Sequence, residues 1–340
     1  MARRPSQVTP RAGGKRLMPP QDILAVIRGI EAEVAKVVFG DEMKILVDFL
    51  ILSILADGHV VVRAPVGLGK TLACTAIAQA IGGNFRKRQF RPDMLPSELS
   101  GFEIYNQKTH EFEVRHGPLY GTNIFLADEI NRGTPKAQAA LLEAMEERHL
   151  TIGAKVYPLP SVFVVLATRN PIEHEGTYQL PEAQMDRFFG QPVIKDISVR
   201  TGLAIIEDPD FWRSSRERLA RIQAVTDPNE IVAIREAIFA NVRVEPRLDR
   251  YIWELRDATW KHEMVAYGAS PRGAINLKKA AIVTAFREGR DYAIPDDVSR
   301  YAVDILAHRI FMKPEYRHDA MRDVSPADIV REVLADVRYE

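Results

Sequence analysis

The eight residues Ala64-Pro65-Val66-Gly67-Leu68-Gly69-Lys70-Thr71 constrain this chain more than any other stretch. They follow an apolar run, His59-Val60-Val61-Val62-Arg63, that reads as a strand, and they open a run from Leu72 to Ile81 that reads as a helix stopped by Gly82-Gly83. Strand, glycine-rich turn and helix in that order make a phosphate-binding loop, here with Ala64 where the first glycine often stands. Gly67 and Gly69 let backbone N–H groups turn toward phosphate oxygens, and the helix start adds the positive end of its dipole. Pro65, Val66 and Leu68 complete the turn. Lys70 is placed to reach β- and γ-phosphates, and the Thr71 hydroxyl to ligate Mg²⁺. A glycine-rich turn that merely precedes Lys-Thr is the competing reading, and the order of the flanking elements weighs against it.

Strands and helices alternate from there. Phe85 to Phe90 reads as a short strand, and Asn123 to Ala127 as a fully buried one. Thr134-Pro135 supplies an N-cap and a first-turn proline for a helix running to about Glu147. Val162 to Ala167 is a further buried strand, and Pro192-Val193-Ile194 is expected to be the last. Continuous apolar strands separated by helices indicate a parallel sheet covered on both faces, an α/β domain. The Asn123–Ala127 strand runs into Asp128-Glu129. Asp128 is expected in the Mg²⁺ shell, and Glu129 to accept a proton from an attacking water. Thr168-Arg169-Asn170-Pro171 closes the neighbouring strand at the carboxyl edge, where ligands of parallel sheets bind. Asn170 can orient water against a γ-phosphate, although Asn-Pro is also an ordinary turn.

Helices are expected before and after this unit. Ile23, Ile27, Ile30, Val34 and Val37 form one apolar stripe, Gly40 ends it, and a second helix runs from about Asp41 to Ala56. Beyond residue 200 the segments 229–240, 248–259, 274–286 and 295–306 are helical in period and length. The expected organisation is a flexible basic tail over 1–18, an α/β nucleotide-binding core over 19–198, and an all-helical lid with C-terminal helices over 199–340. Residues 102–114 and 150–157 alternate apolar and polar around short turns and read as inserted hairpins. The chain carries 46 basic and 46 acidic residues, a balance that counts against a duplex-coating role, so no nucleic-acid partner is expected. Its single cysteine, Cys74, excludes a disulfide framework and any Cys-x-x-Cys zinc site. The eight histidines show no metal-ligand spacing. No apolar run reaches bilayer length and no signal core follows the basic start, so a soluble, cytoplasmic protein is expected.

The block Phe125-Leu126-Ala127-Asp128-Glu129-Ile130-Asn131-Arg132, the helix Gln138 to Glu147, and Ala167-Thr168-Arg169-Asn170-Pro171-Ile172-Glu173 resemble the MoxR family of AAA+ ATPases. So do Glu175-Gly176-Thr177-Tyr178 and Leu180 to Phe188, and the likeness runs from about Ile23 to Leu306. Arg169 stands where the family usually has Gln, and Ala64 where many members have Gly. The resemblance implies an ATP hydrolase with ATP and Mg²⁺ as ligands, assembled into a homo-oligomeric ring, usually a hexamer. It implies chaperone-like work on a client protein or complex, often metal or cofactor insertion, with a von Willebrand factor A-domain partner. It also implies that Val38, Phe39 and Gly40 contact the adenine, that Asn170 is sensor 1, Arg272 the sensor 2 arginine of the lid, and Arg187 an arginine finger. The two hairpins look like the inserts of that clade. A nucleic-acid-directed motor and a nucleotide-gated scaffold remain the alternatives from other classes.

Overall fold

In the computed structural model the described residues are 18–65, 67–169, 178, 180–194, 197–317 and 324–340, with backbone alone at 210 and 211. All but the last residue of the basic tail lies outside them.

The first half of the chain runs α1 (Pro20–Ala35), α2 (Asp41–Leu55), β1 (Val60–Arg63), α3 (Lys70–Ala80), β2 (Phe85–Gln89), α4 (Ser97–Ser100), β3 (Gly101–Asn106), β4 (Glu111–His116) and β5 (Ile124–Asp128). A 3-10 turn at Ile130–Arg132 leads to α5 (Pro135–Glu147), β6 (His149–Ile152), β7 (Lys155–Pro158), β8 (Val164–Arg169) and α6 (Glu182–Met185). The second half holds α7 (Val199–Glu207), α8 (Ser215–Leu219), α9 (Pro228–Asn241), α10 (Pro246–Lys261), β9 (Val265–Tyr267), α11 (Pro271–Arg287) and α12 (Pro295–Leu306). Then come β10 (Phe311–Met312), α13 (Pro314–Arg317) and α14 (Pro326–Asp336).

Four strands form a parallel sheet in the order β1-β8-β5-β2. Register pairs Arg63 with Arg169, Ala127 with Ala167, and Gln89 with Asp128. The carboxyl ends of all four strands therefore share one edge, and that edge carries the phosphate-binding loop. Side-chain alternation sends Val60, Val62, Ile124, Leu126, Val164 and Leu166 to one hydrophobic cluster. Val61, Phe125, Ala127, Val165 and Ala167 go to a second cluster on the opposite face. This period of two, with both faces covered, is why the strands read as unbroken apolar runs. β2 at the sheet edge is instead charged and exposed at Arg86, Lys87 and Arg88, which blunts edge-to-edge pairing.

The expected strand at Pro192–Ile194 is reduced to two isolated bridges, Val60 to Gly190 and Arg63 to Val193, because Pro192 has no N–H to extend the ladder. Both hairpins form, as β3–β4 and β6–β7. Thr134 caps α5 by accepting from the Ala137 N–H at 3.2 Å. The second half is helical apart from the two-stranded ribbon β9–β10. The helix α7 and the terminal α14 were not resolved as separate runs by periodicity. Among the described residues no helix is long and apolar enough to cross a membrane.

The lid is built onto the core rather than hung from it. The first cluster runs without a break from α1, α2 and α3 into Ile231, Ile234, Leu277, Ile305 and Ile329 of the second half. Polar groups then fix the angle between the two halves. Arg235 of α9 donates to the Ile54 carbonyl at 2.6 Å and pairs with Asp57 at 2.9 Å. Arg309, whose side chain is 1% exposed, donates from Nε to Asp186 Oδ1 at 2.9 Å and reaches the Asp186 and Phe188 carbonyls with its terminal nitrogens. Removing one partner of a buried pair strands the other. Arg309→Met should therefore cost about 3 kcal/mol, toward the low end of such losses because Asp186 is partly exposed. Urea unfolding measures it, and a loss below about 1 kcal/mol, a surface-pair value, would refute the assignment.

Candidate active site

β1 delivers the chain to the carboxyl edge, and the loop turns there into α3. Gly67 (φ 91°) and Gly69 (φ 85°) both sit in the left-handed region that favours glycine, and both face open space. Gly69 is the N-cap of α3 and supplies no side-chain cap, which leaves the first N–H groups of the helix open to a ligand at the cleft. Lys70 is the first residue of α3. Its ammonium folds back to donate to the Pro65 carbonyl at 2.6 Å and the Ala64 carbonyl at 3.4 Å. Burial lowers its pKa, and the nearby Asp128 and Glu129 carboxylates act in the other direction. The cleft has a volume of about 480 Å³ and is lined by Gly67 to Leu72, Asp128, Glu129, Thr168 and Arg169, among others. Val66 lies outside the described residues.

Asp128 ends β5 with its two oxygens divided. Oδ1 accepts from the Thr168 hydroxyl at 2.7 Å, and Oδ2 pairs with the Lys87 ammonium at 2.8 Å. Burial pushes the Asp128 carboxyl up, but Lys87, Thr168 and Lys70 together outweigh it and hold the group below its ordinary value. Lys87 also donates to Thr71 Oγ1 at 3.3 Å. One ammonium thus touches both groups that the sequence assigns to Mg²⁺, so Thr71 and Asp128 are close enough to share one cation. Few protein oxygens plus phosphate and water suit Mg²⁺, which keeps much of its hydration. Among the described residues no cluster of three or more His, Cys, Asp or Glu groups could hold a metal ion.

Glu129 is in the left-handed region (φ 53°, ψ 52°), a conformation that costs a non-glycine residue of order 1 kcal/mol. Its N–H donates to Thr168 Oγ1 at 2.8 Å, which anchors the turn to β8. The kink aims the Glu129 carboxylate into the cleft rather than along the strand, where Arg132 pairs with it at 2.9 Å.

A second cavity of about 170 Å³ shares Gly67, Leu68, Gly69 and Leu72 with the first. Its walls are Val37, Val38, Phe39 and Met43 on one side and Ile197, Thr201 and Ile205 on the other. A mostly apolar annex beside a phosphate cradle, with Arg218 also in its lining, suits a base. Gly40 (φ 89°) is not in its lining but packs on the lining residue Thr201, whose Cγ2 a Cβ there would meet at 2.5 Å. α7 is held in place by Glu42 of α2, which accepts from the Ser198 N–H and the Thr201 hydroxyl, each at 2.9 Å. Ile197, Thr201 and Ile205 were absent from the sequence-based set.

Arg187 and Arg272 are placed elsewhere. Both pair with Glu146 near the end of α5, Arg187 Nε at 2.9 Å. Both line a separate cleft of about 300 Å³ that also includes Gly58 and His59, at the amino end of β1. His59 and Ala64 bracket β1, so this cleft lies about 16 Å of extended strand from the phosphate loop. Within one chain, Arg272 therefore stands away from the phosphate loop. The cause is the lid packing on the sheet face, with Ser270 accepting from the Arg272 N–H at 3.1 Å and donating to Asp186 at 2.6 Å. Asn170 lies outside the described residues. Arg169 and, from α8, Arg218 line the phosphate cleft, and Arg132 is tied to it through Glu129. Cys74 is buried in α3 with its thiol pushed up to about 12 by burial, as befits a packing group.

Comparisons with known proteins agree with this geometry. The family described as ATPases associated with various cellular activities (AAA) matches residues 59–190, and the AAA lid domain matches 257–333. The uncharacterized protein YeaC of Bacillus subtilis is 42% identical, over 86% of this chain and 89% of its own. Chaperone MoxR1 of Mycobacterium tuberculosis is 38% identical, over 90% of this chain and 80% of its own. Protein MoxR of Methylorubrum extorquens is 32% identical, over 90% and 93%. A crystal structure of a candidate ATPase from Cytophaga hutchinsonii superposes with a TM-score of 0.85 at 36% identity, covering 94% of this chain and 97% of that one. A nucleotide cleft at the sheet edge, a helical lid fused to the sheet face and relatives of this name over most of the length together make the chain a member of the MoxR family of AAA+ ATPases, an ATP-hydrolysing enzyme.

Proposed function

We propose that the chain hydrolyses Mg²⁺-bound ATP in a closed ring, most simply a hexamer, and uses the cycle for chaperone-like remodelling or maturation of a client protein or complex. Residues 19–198 serve as the nucleotide-binding core and 199–340 as the lid. Lys70 and the loop N–H groups hold the phosphates, Thr71 and Asp128 hold the metal, and Glu129 takes a proton from the attacking water. Val38, Phe39 and Gly40 receive the base. The metal, when bound, neutralises developing charge on the β- and γ-phosphate oxygens. Asn170 orients the water. Insertion of a metal or cofactor into the client, and an adaptor with a von Willebrand factor A domain, belong to the same reading.

One observation carries the ring: the phosphate cleft and the Arg187–Arg272 pair occupy opposite ends of β1. A chain whose two arginines line a cleft away from its own phosphate loop is able to present them to a neighbour's. Head-to-tail contacts of that kind form a ring when their rotation closes. The exposed hairpin β3–β4, with Phe102 and Phe112 at 50% and 67% exposure, is the natural contact for a client.

The nucleotide half of the proposal is tested at Lys70. Lys70→Ala should lose measurable ATP binding in a calorimetric titration while keeping its unfolding transition. Binding at the parental affinity would place the phosphates elsewhere.

A further inference from the structure

We propose that Lys87 is an internal counter-ion of the metal position, so that Mg²⁺ must displace it and the nucleotide's dependence on Mg²⁺ is set by that exchange. The proposal rests on reading the cleft as a Mg²⁺–nucleotide site. The juxtaposition behind it is specific. Of the two Asp128 oxygens, Oδ1 is committed to the Thr168 hydroxyl, which leaves Oδ2 for another partner. Lys87 takes that oxygen at 2.8 Å and Thr71 Oγ1 at 3.3 Å, so its ammonium stands between the two groups assigned to the metal. Lys70 does not share this duty, because its ammonium is turned back to the Ala64 and Pro65 carbonyls.

Two cations cannot occupy one pocket of oxygens a few ångströms across, and a divalent ion competes on better terms than an ammonium. Lys87 can leave. It comes from the edge strand β2, its side chain is 36% exposed, and its flexible stem lets the head swing out to solvent without moving the backbone. Without metal, the same residue keeps Asp128 from standing as an uncompensated, half-buried carboxylate beside Glu129. The device holds the cleft assembled between turnovers and makes Mg²⁺, rather than nucleotide alone, the ligand that releases it.

The test measures ADP affinity in EDTA and in saturating Mg²⁺ for the full chain, for Lys87→Met and for Lys87→Arg. The ratio of the two dissociation constants is the metal coupling. Lys87→Met should raise that ratio by about tenfold, by tightening the Mg²⁺-bound state relative to the metal-free one. Lys87→Arg keeps the charge and should stay within about threefold of the parent. Mg²⁺ without nucleotide should also raise the melting temperature of Lys87→Met more than that of the parent. A Lys87→Met that weakens ADP equally with and without Mg²⁺ would make Lys87 a fixed phosphate ligand and overturn the exchange. An unchanged ratio would reduce it to a surface ion pair and overturn it equally. If the parent itself shows no ADP binding or no metal effect, the reading of the cleft falls, and the proposal with it.

Discussion

Glu129→Gln is expected to bind ATP with parental affinity and to hydrolyse it at least about 10²-fold more slowly. The amide keeps the size of the carboxylate and can still hydrogen-bond, so the phosphate cradle around Lys70 is untouched. It cannot take a proton. The residue sits in a left-handed backbone conformation secured by its N–H bond to Thr168, and the strain is offset by a fold that holds the turn against β8. Strain retained at one residue beside a nucleotide cleft is what a positioned general base would require. Phosphate release gives the rate and calorimetry the affinity. Turnover at the parental rate would remove Glu129 from the chemistry.

Arg187→Ala should leave ATP affinity within a few fold and lower hydrolysis by about 10³, the lower end of what an arginine finger supplies. Affinity is spared because Arg187 lines a cleft at the far end of β1 from the phosphate loop. The guanidinium is held by Glu146 and, through the Ser270–Asp186–Arg309 contacts, keeps a fixed relation to Arg272. A planar, permanently charged group presented on a rigid support can stabilise transition-state oxygens of a neighbour without reorganising. An affinity loss as large as the rate loss would instead mean that Arg187 helps to bind the ground state.

The phosphate loop was legible because its requirements are local: two glycines at positive φ, a strand before and a helix after. The buried strands were legible for a related reason, since Val60–Val62 and Ile124–Ala127 are covered on both faces and so carry no polar alternation. Lys87 was not. In the sequence it is one of three consecutive basic residues, Arg86-Lys87-Arg88, a pattern typical of a solvated edge strand, and only the placement of β2 beside β5 brings it to Asp128 and Thr71. The cleft that Arg272 lines was not legible either, for a tertiary reason. Its Ser-Pro-Arg setting announces a helix start, but not which face of the sheet the helix packs on. That was decided by Ile231, Leu277 and Ile305 joining the cluster beneath α1 and α2. The two inserted hairpins show their alternation plainly, yet α7 does not announce that Thr201 and Ile205 face the nucleotide annex, since the segment leaves Val199, Leu203 and Ile206 exposed.

The central claim is that each active site is completed by the neighbouring subunit, and mixing two inactive variants tests it directly. A Glu129→Gln subunit cannot hydrolyse its own ATP but still offers Arg187. An Arg187→Ala subunit has an intact cleft and lacks only the finger it gives away. In rings assembled from equal amounts, roughly a quarter of head-to-tail interfaces pair a good cleft with a good finger. Phosphate release from mixed rings, verified by native mass, should therefore recover well above the sum of the two separate preparations. Mixed rings that stay as inactive as their parents would show that Arg187 serves its own chain or none, and would contradict the account.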